Sequence, residues 1–548
     1  MKIAKVHPKD NIIAALDHLP AGATLYWEGD TIVLTEEIPA KHKFNACDLA
    51  EGDPVIMYGV LIGKATRPIP RGSRISRENV HHEAEPFVVR ESTFQWEQPD
   101  VGRWQDRTFN GFHRADGKVG TRNYWLVIPL VFCENRNVKV IQDAMLEQLG
   151  YLSGRSFSVD VHALVRKYQN GASTEELLAT DVIRSAHDHR ADRVFPNVDG
   201  IKFLTHDGGC GGTRQDSDAL CRLLAGYIAN PNVAGATVLS LGCQHAQTTV
   251  LQEALAELYP GTQKPVYILE QQKSPSERDL IAEAVVKTFV GLVQANAITR
   301  RPAPLRKLVL GLECGGSDGF SGLSANPALG QASDYLAALG GSTVLSEFPE
   351  LNGVEQDLID RCVQTDIAEK FGHLMQTYSK RAREVGSGFD MNPSPGNIRD
   401  GLITDAMKSA GAAKKGGTAP VADVLDYTEP IVKPGLNLLC TPGNDVESTT
   451  ALAGSGCTLI VFTTGLGTPT GNPITPTIKV SSNTVLYQRM EDIIDLDAGT
   501  ILSGEHSIAS KGAELLDLMI EVANGNAYTK AELLGQDDFI PWKRGVSL

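Results

Sequence analysis

Four cysteines occupy equivalent places in the sequence, each directly after an apolar run that is typical of a buried strand. The runs end in "PLVFC", "THDGGC", "LSLGC" and "GLEC", and their thiols belong to Cys133, Cys210, Cys243 and Cys314. Because ligands bind beyond the carboxyl ends of parallel strands, thiols at such ends can face one pocket. The pattern favours a metal or substrate site. A single cysteine of this kind is more often a small buried hydrophobe, and no C-x-x-C pair marks a zinc site.

Glycines beside two of these cysteines support a functional role. "DGGCGG" (207–212) and "CGGSDG" (314–319) allow tight turns and a close approach of the backbone to a ligand. His206 lies in the same loop as Cys210. A lone histidine is usually a satisfied surface or core group, but beside a glycine-rich strand end it is a candidate metal ligand or proton carrier.

Polar loops near other predicted strand ends supply further candidate groups. Groups that can move protons are Glu347, Asp445 and Lys479. Groups that can bind hydroxyls are Ser317, Asp318, Asn326 and Asn444. Each of them alone is ordinary turn chemistry. Together they predict a wet, anion-tolerant pocket that suits a small polyhydroxylated acid.

The elements that must position these residues are predicted in three parts. Residues 1–85 form a small β domain of short strands, and 86–110 is a polar connector without a clear period. Beyond it, strands alternate with helical stretches, which predicts two parallel α/β units over 111–300 and 301–548. The proline-rich segment 299–306 is expected to link them.

Apolar runs and helical periodicity give the predicted elements of these two units. Strands are predicted over 123–133, 193–206, 236–243, 265–270, 307–314, 342–348, 436–440 and 457–465, and a helix over 276–297.

Composition excludes several classes of function. The formal net charge is −15 and no dense basic cluster occurs, so nucleic acid is not an expected partner. The longest apolar run, 124–132, is about half a membrane span, and no signal peptide is recognised, so we expect a cytoplasmic protein without a membrane partner. The nine scattered cysteines do not favour disulfides. No phosphate loop, dinucleotide fingerprint or G-x-S-x-G elbow is present, which argues against ATP, NAD and serine-hydrolase chemistry.

Longer motifs make the sequence recognisable. "FNGFHRADGKVGTRN", "GLECGGSDGFSGLSANPALG", "NPSPGN", "PGND" and "TPTIKV" resemble the altronate dehydratase and galactarate dehydratase family over essentially the whole chain. The N-terminal stretches "VHPKDNIIAAL" and "IPAKHKFNACDLAEGDPVIMYGVLIGKA" resemble its small β-clip (SAF) domain. The resemblance implies an α/β fold in which this domain is followed by two Rossmann-like units.

The resemblance also implies an activity. A member of this family is expected to convert D-altronate to 2-dehydro-3-deoxy-D-gluconate and water with ferrous iron. Galactarate dehydration, a related lyase reaction on a hydroxy acid such as sulfolactate, and non-catalytic binding of a sugar acid are alternatives. The expected partner is a small sugar acid, and the chain can form a homo-oligomer.

The family's motif residues fall on named positions here. The motif cysteines are Cys133, Cys210, Cys243 and Cys314, and the motif histidine is His206. The N-terminal motif falls on His7, Asp10, Asn11, His42 and Lys43, so His7 and His42 are candidates to reach the pocket from the small domain. Asn123, which ends the first motif, is a further substrate-binding candidate.

Loss of water from a dihydroxy acid requires removal of the C2 proton and protonation of the departing C3 hydroxyl. We expect His206, Lys479, Glu347 and Asp445 to share these roles. The expected iron ligands are Cys210, Cys243, Cys314 and His206, with Cys133 as a fourth thiol. Mn²⁺ is an alternative ion, and the same cysteines can equally hold an iron–sulfur cluster with one open iron.

The sequence departs from the family pattern in three places. The usual G-R-G-T-P reads "GLGTP", so Leu466 stands where an arginine is expected. The usual G-C-E reads "GCQ" with Gln244, and the usual G-H-K reads "KHK". Loss of an arginine beside the pocket puts the exact substrate in question.

Overall fold

Short antiparallel strands build the N-terminal part of the protein, as its turn-rich sequence predicts. The computed structural model describes residues 2–151, 157–185 and 193–545. The first strands are β1 (Ile3–Ala4), β2 (Ile12–Ala15), β3 (Thr24–Trp27), β4 (Asp30–Val33), β5 (Lys43–Asn45), β6 (Pro54–Met57), β7 (Val60–Ala65), β8 (Arg74–Ile75) and β9 (Val80–His81). They pair in the orders β1-β2-β5-β8, β3-β4 and β6-β7-β9. Their inward residues, such as Ile13 and Phe44, are fully buried.

The loop before β5 docks this small domain onto the C-terminal part. Lys43 Nζ is fully buried and donates to the carbonyls of Lys41 (2.9 Å), Gly319 (3.3 Å) and Gly401 (2.9 Å). Lys41 Nζ lies 3.2 Å from Asp318 Oδ2 and 2.8 Å from Asp400 Oδ1. The "KHK" stretch therefore inserts two lysines between the domains.

A parallel sheet forms the middle of the molecule. The elements of this part are β10 (Thr108–His113), β11 (Val119–Gly120), β12 (Tyr124–Pro129), α1 (Asn135–Leu146), β13 (Phe157–Val159), α2 (Val161–Gln169), α3 (Thr174–Leu178), β14 (Ile183–Ser185), β15 (Gly200–Phe203), α4 (Arg214–Ala229), β16 (Val233–Ser240), α5 (Thr248–Leu258), β17 (Val266–Glu270), α6 (Glu277–Asn296) and β18 (Arg301–Pro304). The sheet order is β15-β12-β16-β17, with every pair parallel. Helix α6 packs closely against this sheet at Gly291. A side chain at this position would lie 2.0 Å from the Trp125 ring, so the close contact requires glycine.

A second parallel sheet carries the C-terminal part. Its elements are β19 (Val309–Cys314), α7 (Ala325–Ala338), β20 (Ser342–Leu345), α8 (Glu355–Asp360), α9 (Thr365–Glu384), α10 (Pro395–Arg399), α11 (Asp405–Ala413), β21 (Val421–Leu425), β22 (Gly435–Leu439), α12 (Asp445–Ser455), β23 (Leu459–Thr464), β24 (Thr477–Ser481), α13 (Thr484–Arg489), β25 (Leu496–Asp497), α14 (Ile508–Asn524) and α15 (Lys530–Leu534). Its order is β21-β22-β20-β19-β23-β24-β25. The fold is thus a mixed α/β fold with parallel sheets behind a β domain.

The observed strands lie inside most of the predicted runs but are shorter at their ends. The run 193–206 contains only Gly200–Phe203 as strand, because a turn from Phe195 O to Val198 N interrupts its first half. The segment 299–306 contains β18, which pairs antiparallel with β10. The predicted helix over 276–297 is observed as Glu277–Asn296.

The two parallel sheets present their carboxyl ends on the same side of the molecule. Their amino ends meet where Asn232 Nδ2 and Thr121 Oγ1 donate to Thr458 O at 3.1 and 2.8 Å. At the other side, the Arg544 N–H donates to Asp216 in the first turn of α4 (2.8 Å), and its guanidinium binds Asp426 after β21 (2.6 Å). One residue of the C-terminal segment therefore bridges both carboxyl edges. None of the helices within the described ranges is long and apolar enough to cross a bilayer.

We predict that Lys43→Met loosens the small domain. The substitution removes the donor from two buried carbonyls and one partly buried carbonyl, and each unsatisfied buried group costs roughly 1–3 kcal/mol. Hydrogen exchange of residues 40–45 and 319–323 should rise. Lys64→Met is the matched control, because Lys64 pairs with Glu83 at the surface of the same domain. Unchanged exchange in Lys43→Met would contradict the docking role.

Candidate active site at two sheet edges

Three of the four predicted cysteines follow neighbouring strands at one sheet edge. Cys133 follows β12, Cys210 follows β15 and Cys243 follows β16, and these strands are neighbours in the order β15-β12-β16. All three residues are exposed. We call this edge, defined by Cys133, Cys210 and Cys243, the thiol edge.

Backbone hydrogen bonds hold the three loops of the thiol edge against one another. The Phe132 N–H donates to Gly208 O and the Ala246 N–H donates to Gly209 O, both at 3.1 Å. Gly209 has φ +93°, and a side chain there would lie 2.1 Å from Leu130 O. Only glycine fits this crossing point, which explains part of the "DGGCGG" motif.

His206 secures the same loops but is not free to bind an ion in this conformation. Its Nδ1 accepts the Gly208 N–H at 3.1 Å, so its Nε2 carries the proton and donates to Pro129 O at 2.8 Å. The ring is buried, and burial lowers the pKa of His206, which keeps the imidazole neutral. The structure therefore places His206 beneath the thiol edge, with both ring nitrogens engaged by backbone.

Gln244 explains how the "GCQ" departure is accommodated. Its Oε1 accepts the Gly242 N–H at 2.7 Å, and its Nε2 donates to Ser240 Oγ (2.6 Å) and Ala246 O (3.1 Å). An ionised glutamate has no donor for the last two acceptors. The glutamine thus fixes the Cys243 loop without adding charge.

Cys314 is separated from the other thiols. It ends β19 in the second sheet and is buried. Lys415 Nζ lies 2.8 Å from its Sγ and 2.6 Å from Glu347 Oε2, while Glu350 Oε2 lies 3.5 Å from the sulfur. The predicted set of four thiols is therefore divided between two edges.

A network of lysines and carboxylates surrounds Cys314. Lys408 Nζ lies 2.5 Å from Glu350 Oε1 and 3.1 Å from Asn392 Oδ1. Glu313 Oε2 accepts hydrogen bonds from Ser346 Oγ (2.9 Å) and Ser448 Oγ (2.6 Å). We call the side chains of Glu313, Cys314, Glu347, Glu350, Lys408 and Lys415, all buried except the partly exposed Lys408, the lysine–carboxylate network.

Protonation states in the network follow from burial and neighbouring charge. Burial and the Glu347 charge hold the pKa of Glu313 well above its usual value, so this carboxyl is neutral. Glu313 Oε1 and Glu347 Oε1 are both buried without a donor from the described residues, which fits one proton shared between two carboxyls. Burial opposes the charge on Lys415, yet Cys314 and Glu347 hold its pKa well above normal, so it remains an ammonium.

The backbone of Glu347 is in the left-handed region, with φ 64° and ψ 59°. This conformation is uncommon for a residue with a side chain and typically costs about 1–3 kcal/mol. Its N–H is held by Thr441 Oγ1 at 2.8 Å. The strained turn directs the carboxylate towards Lys415, and strain of this kind is concentrated at functional sites.

Asp445 lies beside the network at the start of α12. A side chain at Gly315 would come within 2.0 Å of Asp445 Oδ2, so the carboxylate rests against this glycine. Burial and the Glu347 and Glu350 charges raise the pKa of Asp445 to about 7. A carboxylate that titrates near neutrality is suited to accept and return protons.

The residues predicted to bind hydroxyls have varied positions. Asp318 is buried where the small domain docks, and its Oδ1 accepts from Ser482 Oγ at 2.8 Å. Ser317 O accepts from Asn397, Asn326 binds Gly411 O, and exposed Asn444 caps α12. Leu466 packs near Gly316. A Cβ atom added at Gly316 would lie 3.3 Å from the Cβ atom of Leu466.

Four more predicted residues, Lys479, Asn123, His7 and His42, also lie away from the network. Lys479 Nζ binds Gln536, and burial lowers the pKa of Lys479 to about 8. Asn123 begins the run into β12, at the opposite edge from Cys133, and donates to Asn197 O and Ala295 O. His7 binds Asp10 within the small domain, while half-buried His42 is on the docking loop with its Nδ1 3.2 Å from Ala40 O.

The donor sets of the two edges differ in their fit to iron. Cys314, Glu347 and Glu350 form the one group of three potential ligands within 4.8 Å of each other that occurs in the described residues. Two ammonium groups already bind these atoms, so the positions of a cation are taken. The thiol edge offers three exposed thiols, two of them in glycine-rich loops. They are a soft donor set of the kind that binds iron or an iron–sulfur cluster, but their sulfur atoms do not all lie within 4.8 Å of one another.

Sequence reasoning missed Lys408, Lys415 and Glu350. Glu350 follows Glu347 by three residues in "SEFPE", so the pair was visible. Lys408 and Lys415 are seven residues apart in the alanine-rich stretch "AMKSAGAAKKGG", a spacing that places two side chains on one helix face. That signal is weak, because surface helices carry the same pattern.

Three family descriptions match the chain. They are the altronate/galactarate dehydratase SAF domain over 1–83, the D-galactarate dehydratase/altronate hydrolase second domain over 111–296, and the D-galactarate/altronate dehydratase C-terminal domain over 305–547.

Curated relatives match over nearly their full length. Altronate dehydratase of Escherichia coli is 32% identical over 96% of both chains, and that of Bacillus subtilis is 33% identical over 95% of both. Galactarate dehydratase (L-threo-forming) of Escherichia coli is 31% identical over 97% of this chain and 94% of its own. The (2R)-sulfolactate sulfo-lyase subunit beta of Chromohalobacter salexigens is 29% identical over 79% of this chain and 97% of its own.

Thiol reactivity should separate the two edges. Cys47 and the cysteines of the thiol edge are exposed, whereas Cys314 is buried, and burial holds its pKa well above normal. We predict that a disulfide reagent titrates four thiols per native, metal-free chain and nine after denaturation. Cys210→Ser should remove one rapid equivalent and Cys314→Ser none. A smaller number of rapidly reacting thiols in Cys314→Ser than in the unmodified chain would contradict the burial of this thiol.

Proposed function

We propose that this chain, which belongs to the D-galactarate/altronate dehydratase family, removes water from a sugar acid and that altronate is its substrate. The observation that carries this is the match to two altronate dehydratases at 32% and 33% identity over almost the whole of each chain. Galactarate is the second candidate, because the galactarate relative is nearly as similar, at 31%. The titratable groups at the second edge support catalysis over simple binding.

Asp445 is the group we propose to move the C2 proton. It is an anion above about pH 7 and rests against Gly315, so it can accept a proton near neutrality. The Glu347 and Lys415 pair behind it keeps fixed opposite charges close by. Glu313, held neutral by burial, stores a proton at the far side of Glu347.

The thiol edge is the part of the chain we propose for iron, with Cys133, Cys210 and Cys243 as ligands. A bound iron supplies a Lewis acid that stabilises negative charge on the carboxylate and C2 hydroxyl of the substrate. His206 and Gln244 do not bind the ion in this proposal but hold the three loops in place. Mn²⁺ and an iron–sulfur cluster remain the alternatives.

Finer features of the fold and setting belong to the same proposal. We place the domain boundaries at residues 85, 110 and 300, and we take both parallel sheets as Rossmann-like units. We place the reaction in the cytoplasm. A homo-oligomer is the assembly we expect.

Turnover on a substrate panel tests the function. Anaerobically purified protein with ferrous iron should form a 2-keto acid from altronate, with galactarate, mannonate and sulfolactate as comparison substrates. Removal of the metal with a chelator should abolish turnover, and ferrous iron should restore it. Absence of a keto acid from every substrate, with iron present, would refute the dehydratase proposal.

We predict that Asp445→Asn lowers kcat by about 10²- to 10⁴-fold, because it removes a proton-transfer group without changing its size. In the unmodified protein, kcat/KM should fall as the pH drops below about 7, since the raised pKa of Asp445 makes it neutral there. Glu447→Gln, two residues along the same helix, is the matched control and should keep both activity and pH profile. An unchanged acidic limb in Asp445→Asn would exclude this residue as the base.

A further inference from the structure

A cavity of about 680 Å³ lies between the small domain and the C-terminal domain. Its wall comes from the end of the small domain near β9, the last turns of α9, the loop 387–393 and the start of α11. This volume is in the range of sites for small organic ligands. The residues used below are Arg77, His82, Arg383, Asn392, Thr404 and Asp405.

Two arginines at this cavity have no carboxylate partner. Arg77 makes no hydrogen bond or ion pair that involves the described residues, and Arg383 donates only to Ser379. Both side chains are exposed at the cavity and carry uncompensated positive charge in a chain whose net charge is −15. Asp390 is the carboxylate that faces them, together with half-buried His82, whose pKa is lowered by burial although Asp390 opposes this. Guanidinium pairs of this kind bind carboxylates.

The floor of the cavity offers groups for hydroxyls. Asp405 is 1% exposed, and its Oδ2 accepts from Asn352 Nδ2 at 2.6 Å. Its Oδ1 is buried without a partner among the described residues. Burial holds the pKa of Asp405 well above its usual value, so the group is a neutral acid that can donate a hydrogen bond. Thr404 and Asn392 add a hydroxyl and an amide.

The cavity is separate from both edges of the proposed active site. Asn392 stands between it and the network, since its amide contacts Glu350 Oε1 at 3.3 Å and Lys408 Nζ at 3.1 Å. Helix α9 stands between it and the C-terminal segment. Ser379 and Arg383 line the cavity, whereas Tyr378 packs on Trp542 with ring centroids 5.2 Å apart.

We infer that this cavity binds a small hydroxycarboxylate anion, with the carboxylate between Arg77 and Arg383 and the hydroxyls on Thr404, Asn392 and Asp405. The inference goes beyond the proposed function, because the anion is bound here and not converted. Arg77 belongs to the small domain and Arg383 to the C-terminal domain, so a bound anion joins the two. Through Asn392 it also contacts the groups that hold Glu350.

Calorimetric titration of the full chain with D-gluconate tests the inference. Arg77→Gln with Arg383→Gln should weaken gluconate binding at least 10-fold, because both charge-assisted contacts to the carboxylate are lost. Arg67→Gln with Arg278→Gln is the matched control, since it removes the same charge from exposed residues outside the cavity and should change the affinity less than twofold. The kcat and KM for the turned-over sugar acid should change less than twofold in both double variants.

Three results would overturn the inference. The first is that gluconate does not bind, or that it binds the cavity variant and the control variant with equal affinity. The second is that inorganic phosphate, at the same ionic strength, competes with gluconate as effectively as a second hydroxy acid does, which would mean a general anion site. The third is that, in the cavity variant, the KM for the turned-over sugar acid rises in proportion to the Kd for gluconate, which would make the cavity the site of turnover. A failure of the dehydratase proposal is distinct, since it removes turnover and leaves gluconate binding intact.

Discussion

The buried ion pair between Lys415 and Glu347 is the interaction on which the second sheet edge depends. Both groups are 1% exposed, and removal of two charges from water costs several kcal/mol each unless they are paired and hydrogen-bonded. The pair meets this condition because Cys314 and the neighbouring Glu350–Lys408 pair surround it. Within it Lys415 stays charged, and the neighbouring Glu313 stays neutral. The pKa of Asp445 near neutrality follows from burial beside these fixed charges.

The thiol edge is built on a different principle. Its three cysteines are exposed, and the order of its loops comes from backbone hydrogen bonds, the buried His206 and the uncharged Gln244. Rigid loops with free thiols suit a soft metal, whereas the network around Cys314 is already neutralised by lysines. The Arg544 bridge keeps both edges on one side of the molecule, so a metal function and a proton function can share one face.

Much of the architecture was predictable because it depends on local patterns. Apolar runs located the strands that end near Cys133, Cys243 and Cys314, and helical periodicity located α6 to within one residue at each end. Strands outside these runs, such as Val421–Leu425 and Leu496–Asp497, were not predicted, because short edge segments carry little periodic signal. The family motifs marked the loops beyond the strands, yet could not separate Cys210, which is exposed, from His206, whose ring nitrogens are both engaged by backbone.

The sequence by itself determined the element types, the succession of parallel strands and the glycine-rich loops, because propensity, hydrophobic period and the need for left-handed backbone are properties of neighbouring residues. Only the tertiary structure decided which distant groups meet. Cys314 shares its motif type with the other three cysteines, but β19 lies in another sheet and its thiol faces Lys415, a residue 101 positions away. That pairing is set by strand order and helix packing, which create burial and charge proximity that no local stretch of sequence encodes.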